Sequence, residues 1–163
     1  MTMPDFVSPP PINLNGVGLR IGIVVARYNW HITGAVLALA NTTLIDQGVK
    51  KDAIQIVSVP GSYELAPMAK KLLEHQRFDA LICIGCIMKG ETYHDVLVGN
   101  AAAYGIQRLG MDTGVPVIFG VICAETQQQA EARITRGQEY ACAAIELAHT
   151  TNTLNSTQEA NLV

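Results

Sequence analysis

Apolar residues are unevenly spread along this chain. They gather in four short runs, and between the runs they recur only at every third or fourth position. The first run, residues 21–26 (IGIVVA), has no polar side chain, as expected of a strand covered on both faces. The second, residues 54–59, is cut off by Pro60-Gly61, and the third, residues 80–87, gives way to Lys89-Gly90-Glu91-Thr92. The fourth, residues 115–122, carries Pro116 near its start, where a strand tolerates a missing N–H.

Between the runs the period is helical. Ile32, Val36, Ala40 and Leu44 recur every fourth residue, and Gly48 stands where a C-terminal glycine stops a helix, so residues 32–47 are predicted helical. Residues 64–74 read as a second helix, with Pro67 tolerable only in its first turn. Val96, Ala103, Ile106 and Leu109 mark a third. Thr126 followed by Gln129 forms a capping box for a last helix running towards Ala148. Strands alternating with helical crossovers specify a parallel sheet with right-handed connections. The expected fold is α/β, a three-layer α/β/α sandwich with a four-stranded parallel sheet of flavodoxin-like type. Its ligands belong beyond the C-terminal ends of the strands.

The two ends break the pattern. Residues 1–18, with Pro4, Pro9, Pro10, Pro11, Gly16 and Gly18, read as an N-terminal arm. Residues 150–163, rich in Thr, Asn and Ser without a period, read as a flexible C-terminal tail, which leaves residues 19–149 as one domain. A length of 163 residues agrees with a single domain, and 49% hydrophobic against 15% charged residues excludes disorder of the whole chain.

Charge and cysteine content narrow the function. Eleven Lys plus Arg against fourteen Asp plus Glu give a net charge of −3, so no broad basic field serves nucleic acid or an anionic membrane. No run reaches the roughly 18 apolar residues of a bilayer span. Asp5 and the prolines occupy the place of a signal peptide's basic start and apolar middle, so a soluble, cytoplasmic protein is expected. Four cysteines are too sparse for a disulfide framework and read as reduced, mostly buried thiols. Cys83 and Cys86 form CxxC, but within an apolar strand and not at an exposed helix start where a thiolate is stabilised. No second cysteine pair exists and no two of His31, His75, His94 and His149 have ligand spacing, so no metal is expected.

The residues with chemical potential fall at the strand ends. Tyr28 and Trp30 follow the first run, where an aromatic can stack on a flat ligand. In VPGSYEL, residues 59–65, the Pro-Gly turn permits close backbone approach. There Glu64 suits either ligand hydroxyls or the N-terminus of its own helix. The richest segment is GCIMKGETYH, residues 85–94. Its Gly90–Thr92 stretch opens a helix whose free N–H groups, with the Thr92 hydroxyl, suit a phosphate, provided Glu91 turns its charge away. Neither GxxxxGK[ST] nor GxGxxG occurs, so the spacing names no nucleotide. His94, in the first turn of that helix, can accept and return a proton.

Four blocks, ARYN at 26–29, VPGSYEL at 59–65, IGCIMKGETYH at 84–94 and D-x-GVPVIFGV at 112–121, together resemble the lumazine synthase family over roughly residues 18–148. The resemblance implies a step of riboflavin biosynthesis. In it 5-amino-6-(D-ribitylamino)uracil and 3,4-dihydroxy-2-butanone 4-phosphate condense to 6,7-dimethyl-8-ribityllumazine, phosphate and water, without metal or organic cofactor. It also implies roles for residues. Tyr28 would stack on the pyrimidine, Ser62, Tyr63 and Glu64 would hold the ribityl chain, and Ile87 and Met88 would bound the ring. Gly90, Glu91, Thr92 and Arg133 would take the phosphate, His94 would transfer protons, and Phe119 would be supplied across a subunit interface.

The implied partners are the two small-molecule substrates and further copies of the chain, as a pentamer or stacked pentamers with active sites at interfaces. The arm would add a strand to the adjacent subunit, and riboflavin synthase is a candidate protein partner. Some positions depart from the family pattern. The acid after His94 is displaced by one, to Asp95, and the proline after Glu64 falls one place late, at Pro67. The segment Ile134-Thr135-Arg136-Gly137 is about five residues shorter than usual, with Arg136 where a lysine's charge is expected.

Overall fold

A computed structural model of the chain describes residues 8–160. Four strands, β1 (Ile21–Ala26), β2 (Ile54–Val59), β3 (Ala80–Met88) and β4 (Val117–Ala124), form one wholly parallel sheet in the order β2-β1-β3-β4. The helices are α1 (Trp30–Asp46), α2 (Leu65–His75), α3 (His94–Thr113), α4 (Gln127–Glu131) and α5 (Arg136–Ala160). This is the expected three-layer, flavodoxin-like arrangement, with its topological switch between β1 and β3. No helix among the described residues is long and apolar enough to cross a membrane.

Side chains alternate across the sheet and so build two cores. Ile21, Ile23 and Val25 of β1 pack with Ile32, Val36, Ala40 and Leu44 of α1 and with Ala141, Ala144, Ile145 and Ala148 of α5. Val24 and Ala26 face the other way, onto Leu65, Ala69 and Leu72 of α2 and Ile106 and Leu109 of α3. The central strands are therefore buried on both faces, which is why their sequences are continuously apolar. Each fully buried isoleucine, such as Ile23 or Ile82, contributes about 1.5–3 kcal/mol relative to exposure.

The structure departs from the sequence reading in the helices. α1 starts two residues early, at Trp30, because Asn29 adopts a left-handed conformation (φ 59, ψ 44) that turns the chain directly from strand to helix. The single last helix expected from Thr126 is two helices. Thr126 does cap α4, its Oγ1 accepting the Gln129 N–H at 3.2 Å, while the Gln129 side chain accepts the Glu125 N–H at 2.9 Å. The chain then tightens through residues 132–135, with bonds such as Arg133 N–H to the Ala130 carbonyl, before α5 begins.

The expected flexible tail from residue 150 is also corrected, since α5 continues to Ala160. The hydroxyls of Thr150, Ser156 and Thr157 donate to the carbonyls of Glu146, Asn152 and Thr153, four residues back. Polar residues are thereby satisfied inside the helix without an apolar period. The Asn152 amide also donates to Asp79 at 3.0 Å, and His149 Nε2 lies 2.6 Å from the Asn15 carbonyl. Of the expected arm, residues 8–16 form neither helix nor strand, and residues 1–7 lie outside the described residues, as do 161–163.

Candidate active site

The loops after β1, β2 and β3, with the first turns of α3, enclose a cleft of about 940 Å³ at the C-terminal edge of the sheet, where the strand order reverses. The first loop is tied to the end of β2 and the second loop by backbone bonds, beside which the Arg27 side chain donates to Ser58 Oγ at 3.1 Å. The Arg27 N–H donates to the carbonyls of Val59 and Pro60 (2.8 and 3.2 Å), and the Tyr28 N–H donates to that of Pro60 (2.9 Å). Behind them the buried Thr33 hydroxyl donates to the Ala26 carbonyl at 2.7 Å and locks α1 to the end of β1. The Tyr28 ring lies against Gly61, where a Cβ would stand 2.8 Å from its Cδ2 atom. With 67% of the residue exposed, the outer face of the ring is open for stacking.

The second loop is a short 3-10 turn, Ser62–Glu64, closed by its own acid. The Gly61 N–H donates to Glu64 Oε2 at 2.9 Å, so the carboxylate caps the turn while its other oxygen has no protein partner among the described residues. Ser62 is only 5% exposed and sits over Gly85, where any Cβ would collide with its Oγ. The third loop leaves β3 at Met88 and is held to β4 by the Lys89 N–H on the Ala124 carbonyl (2.8 Å). Thr92 Oγ1 accepts the His94 N–H at 3.4 Å at the start of α3, whose dipole favours an anion near Gly90 and Thr92.

Most of the residues to which the sequence gives a site role meet here. Tyr28, Ser62, Tyr63, Glu64, Ile87, Met88, Gly90, Thr92 and His94 line the cleft. Glu91 is exposed and lies outside its wall. Phe119 and Arg133 are also apart from it within one protomer. Phe119 sits on the edge strand β4, 41% exposed, and Arg133 occupies the turn after α4 with its Nη1 donating to the Gln129 carbonyl at 2.7 Å. Trp30 does not join Tyr28. Because α1 begins at Trp30, its indole is carried onto the helix and covers Gly34.

Sequence reasoning did not select Asn29, Cys86, Asp95, Leu97 and Val98, which also line the cleft. Leu97 and Val98 stand three and four residues after His94, so helical spacing alone puts them on its face.

The two cysteines of the CxxC segment do not face each other. Cys83 and Cys86 lie three residues apart on a strand, and their side chains enter opposite cores. Burial pushes the Cys83 thiol up from 9.0 to about 12 and that of Cys86 to about 11, away from a reactive thiolate. Of the other two thiols, Cys142 is partly buried and Cys123 is exposed on β4, so burial is less general than expected. Among the described residues no group of three metal-binding side chains occurs.

The chain is thus an α/β protein whose cleft at the switch point combines an open aromatic face, a carboxylate-capped turn and an anion-favouring helix start. Residues 18–152 match the family model described as 6,7-dimethyl-8-ribityllumazine synthase. Similar proteins bear that name. One from Azoarcus sp. (strain BH72) is 41% identical over 146 residues, covering 89% of this chain and 94% of its own. One from Thermococcus gammatolerans is 44% identical over 137 residues (82% and 88%), and one from Ralstonia pickettii is 40% identical over 150 residues (91% and 90%). The chain belongs to the 6,7-dimethyl-8-ribityllumazine synthase family.

Proposed function

We propose that this chain is the transferase of riboflavin biosynthesis that condenses 5-amino-6-(D-ribitylamino)uracil with 3,4-dihydroxy-2-butanone 4-phosphate to 6,7-dimethyl-8-ribityllumazine, releasing phosphate and water. The observation that carries the reading is the meeting, in one cleft, of the open Tyr28 ring, the Ser62–Glu64 turn and the Gly90–Thr92 entry to α3. Tyr28 then stacks on the pyrimidine between Ile87 and Met88, Glu64 and its neighbours take the ribityl hydroxyls, and the phosphate lies at the start of α3 with Arg133 as its cation.

The substrates carry their own reactive groups. The pyrimidine amine attacks the ketone and, with loss of water, forms an imine. Elimination of phosphate with the neighbouring C3 proton leaves an enol that tautomerises to a new carbonyl, on which the ribitylamino nitrogen closes the ring with loss of another water. His94 moves protons in these steps. Most of the acceleration comes from alignment, which provides effective molarities up to about 10⁵–10⁸ M.

The working unit in this reading is a homo-oligomer, a pentamer or stacked pentamers, in which Phe119 and Arg133 of one protomer complete the cleft of the next. Two features support it. Those residues lie apart from their own protomer's cleft, and α3 exposes Val96, Leu97, Tyr104 and Met111 along its length, an apolar face suited to a second copy. Four free cysteines suit the reducing cytoplasm, and riboflavin synthase, which would consume the product, is the protein partner proposed. Mixing purified protein with both substrates and following lumazine absorbance tests the activity. Binding of the product without its formation would overturn it.

A further inference from the structure

β3 outruns its neighbour. β1 pairs with it only as far as Val25 opposite Ile84, whereas β3 runs on to Met88 with β4 alone beside it. The ladder on the β1 side thus ends just where Cys86, Ile87 and Met88 form the cleft wall. Asn29 continues it. Its side-chain amide donates to the Cys86 carbonyl at 2.9 Å, standing where the N–H of a longer β1 would stand.

The position comes with strain, since Asn29 is the one non-glycine residue at positive φ among the described residues. Asn tolerates that region better than most side chains, and its short amide reaches β3 from there. On the β2 side the first loop is held by three backbone bonds and by the Arg27 side chain on Ser58, but towards β3 the Asn29 amide makes the one side-chain hydrogen bond from the first loop among the described residues.

We propose that Asn29 is a positioning residue for the heterocycle, setting the gap between the Tyr28 ring and the end of β3 through the Cys86 carbonyl. The proposal rests on the condensation reading above. Two variants of the full chain test it. Asn29→Asp keeps size and tolerance of the left-handed region but turns an oxygen towards the carbonyl. Asn29→Gly keeps the backbone conformation freely and leaves the bond unmade. Each is assayed with both substrates varied in turn, for binding of 6,7-dimethyl-8-ribityllumazine by fluorescence, and for thermal unfolding.

Both variants should raise KM for the pyrimidine about tenfold, the worth of one hydrogen bond, and weaken lumazine binding in parallel. KM for the butanone phosphate should stay near wild type, and the unfolding temperature of Asn29→Gly should fall by no more than the few degrees that one lost hydrogen bond costs. Unchanged pyrimidine KM and lumazine affinity in Asn29→Gly would overturn the assignment, as would an equal rise in both KM values. If the wild-type chain binds lumazine without forming it and Asn29→Asp loses that binding, the condensation reading fails while the positioning role stands.

Discussion

At the scale of single residues, the cleft depends on atoms that are missing as much as on those present. Ser62 has its place only because Gly85 lacks a Cβ, so Gly85→Ala should cost about 1–3 kcal/mol through overpacking, measured by chemical denaturation, and should displace the second loop. The sequence marked Ser62 as a site residue but not its dependence on a glycine in another strand. Local pattern reports residue type and period; it does not report which distant backbone comes close. His94 was legible because it follows a helix-opening Gly90–Thr92 segment. His94→Ala should lower kcat about 10²-fold without abolishing turnover, since alignment of the substrates remains. Cys83 sets a pH dependence of stability. The unfolded chain ionises this thiol from its ordinary 9.0 and the folded chain only near about 12, so the contribution is complete below the first value. Stability should therefore fall as pH rises between them, followed as the denaturation midpoint against pH.

Elements were legible where burial imposes a period. β1 matches its predicted span and β3 differs by one residue, because continuous apolar runs leave few other solutions for strands covered on both sides; the edge strand β2 also matches, ended by Pro60-Gly61, whereas β4 begins and ends two residues later than predicted. The C-terminal region was not legible, for two physical reasons. The break at residues 132–135 is made by backbone bonds that leave no mark in hydrophobic pattern. The last turns of α5 satisfy their hydroxyls on carbonyls one turn back and are anchored by the Asn152–Asp79 contact, in a sequence that reads as coil. Amide exchange should accordingly show protection continuing past residue 150. At the other side of the break, Thr126→Ala removes the α4 cap and should cost about 0.5–2 kcal/mol, read from the same denaturation curves.

At the scale of the whole molecule, the proposed site divides between chains, and a single sequence's periodicity says nothing about that. Phe119 and Arg133 were selected through family resemblance alone, and their separation from the protomer's own cleft fits a contribution to a neighbour. Division makes a sharp prediction. Tyr28→Ala and Arg133→Ala should each be impaired alone, the latter chiefly in KM for the phosphate substrate. Unfolded together and refolded as an equal mixture, they should regain activity at about a quarter of the interfaces, those that draw both intact halves.

The clasp between His149 and Asn15 has a practical side. It fastens the segment before β1 to the middle of α5 at the pole of the sheet opposite the cleft, where Asn152 also meets Asp79 at the foot of β3. A fluorophore attached beside Asn15 would therefore sit at that far pole, leaving the cleft entrance unobstructed.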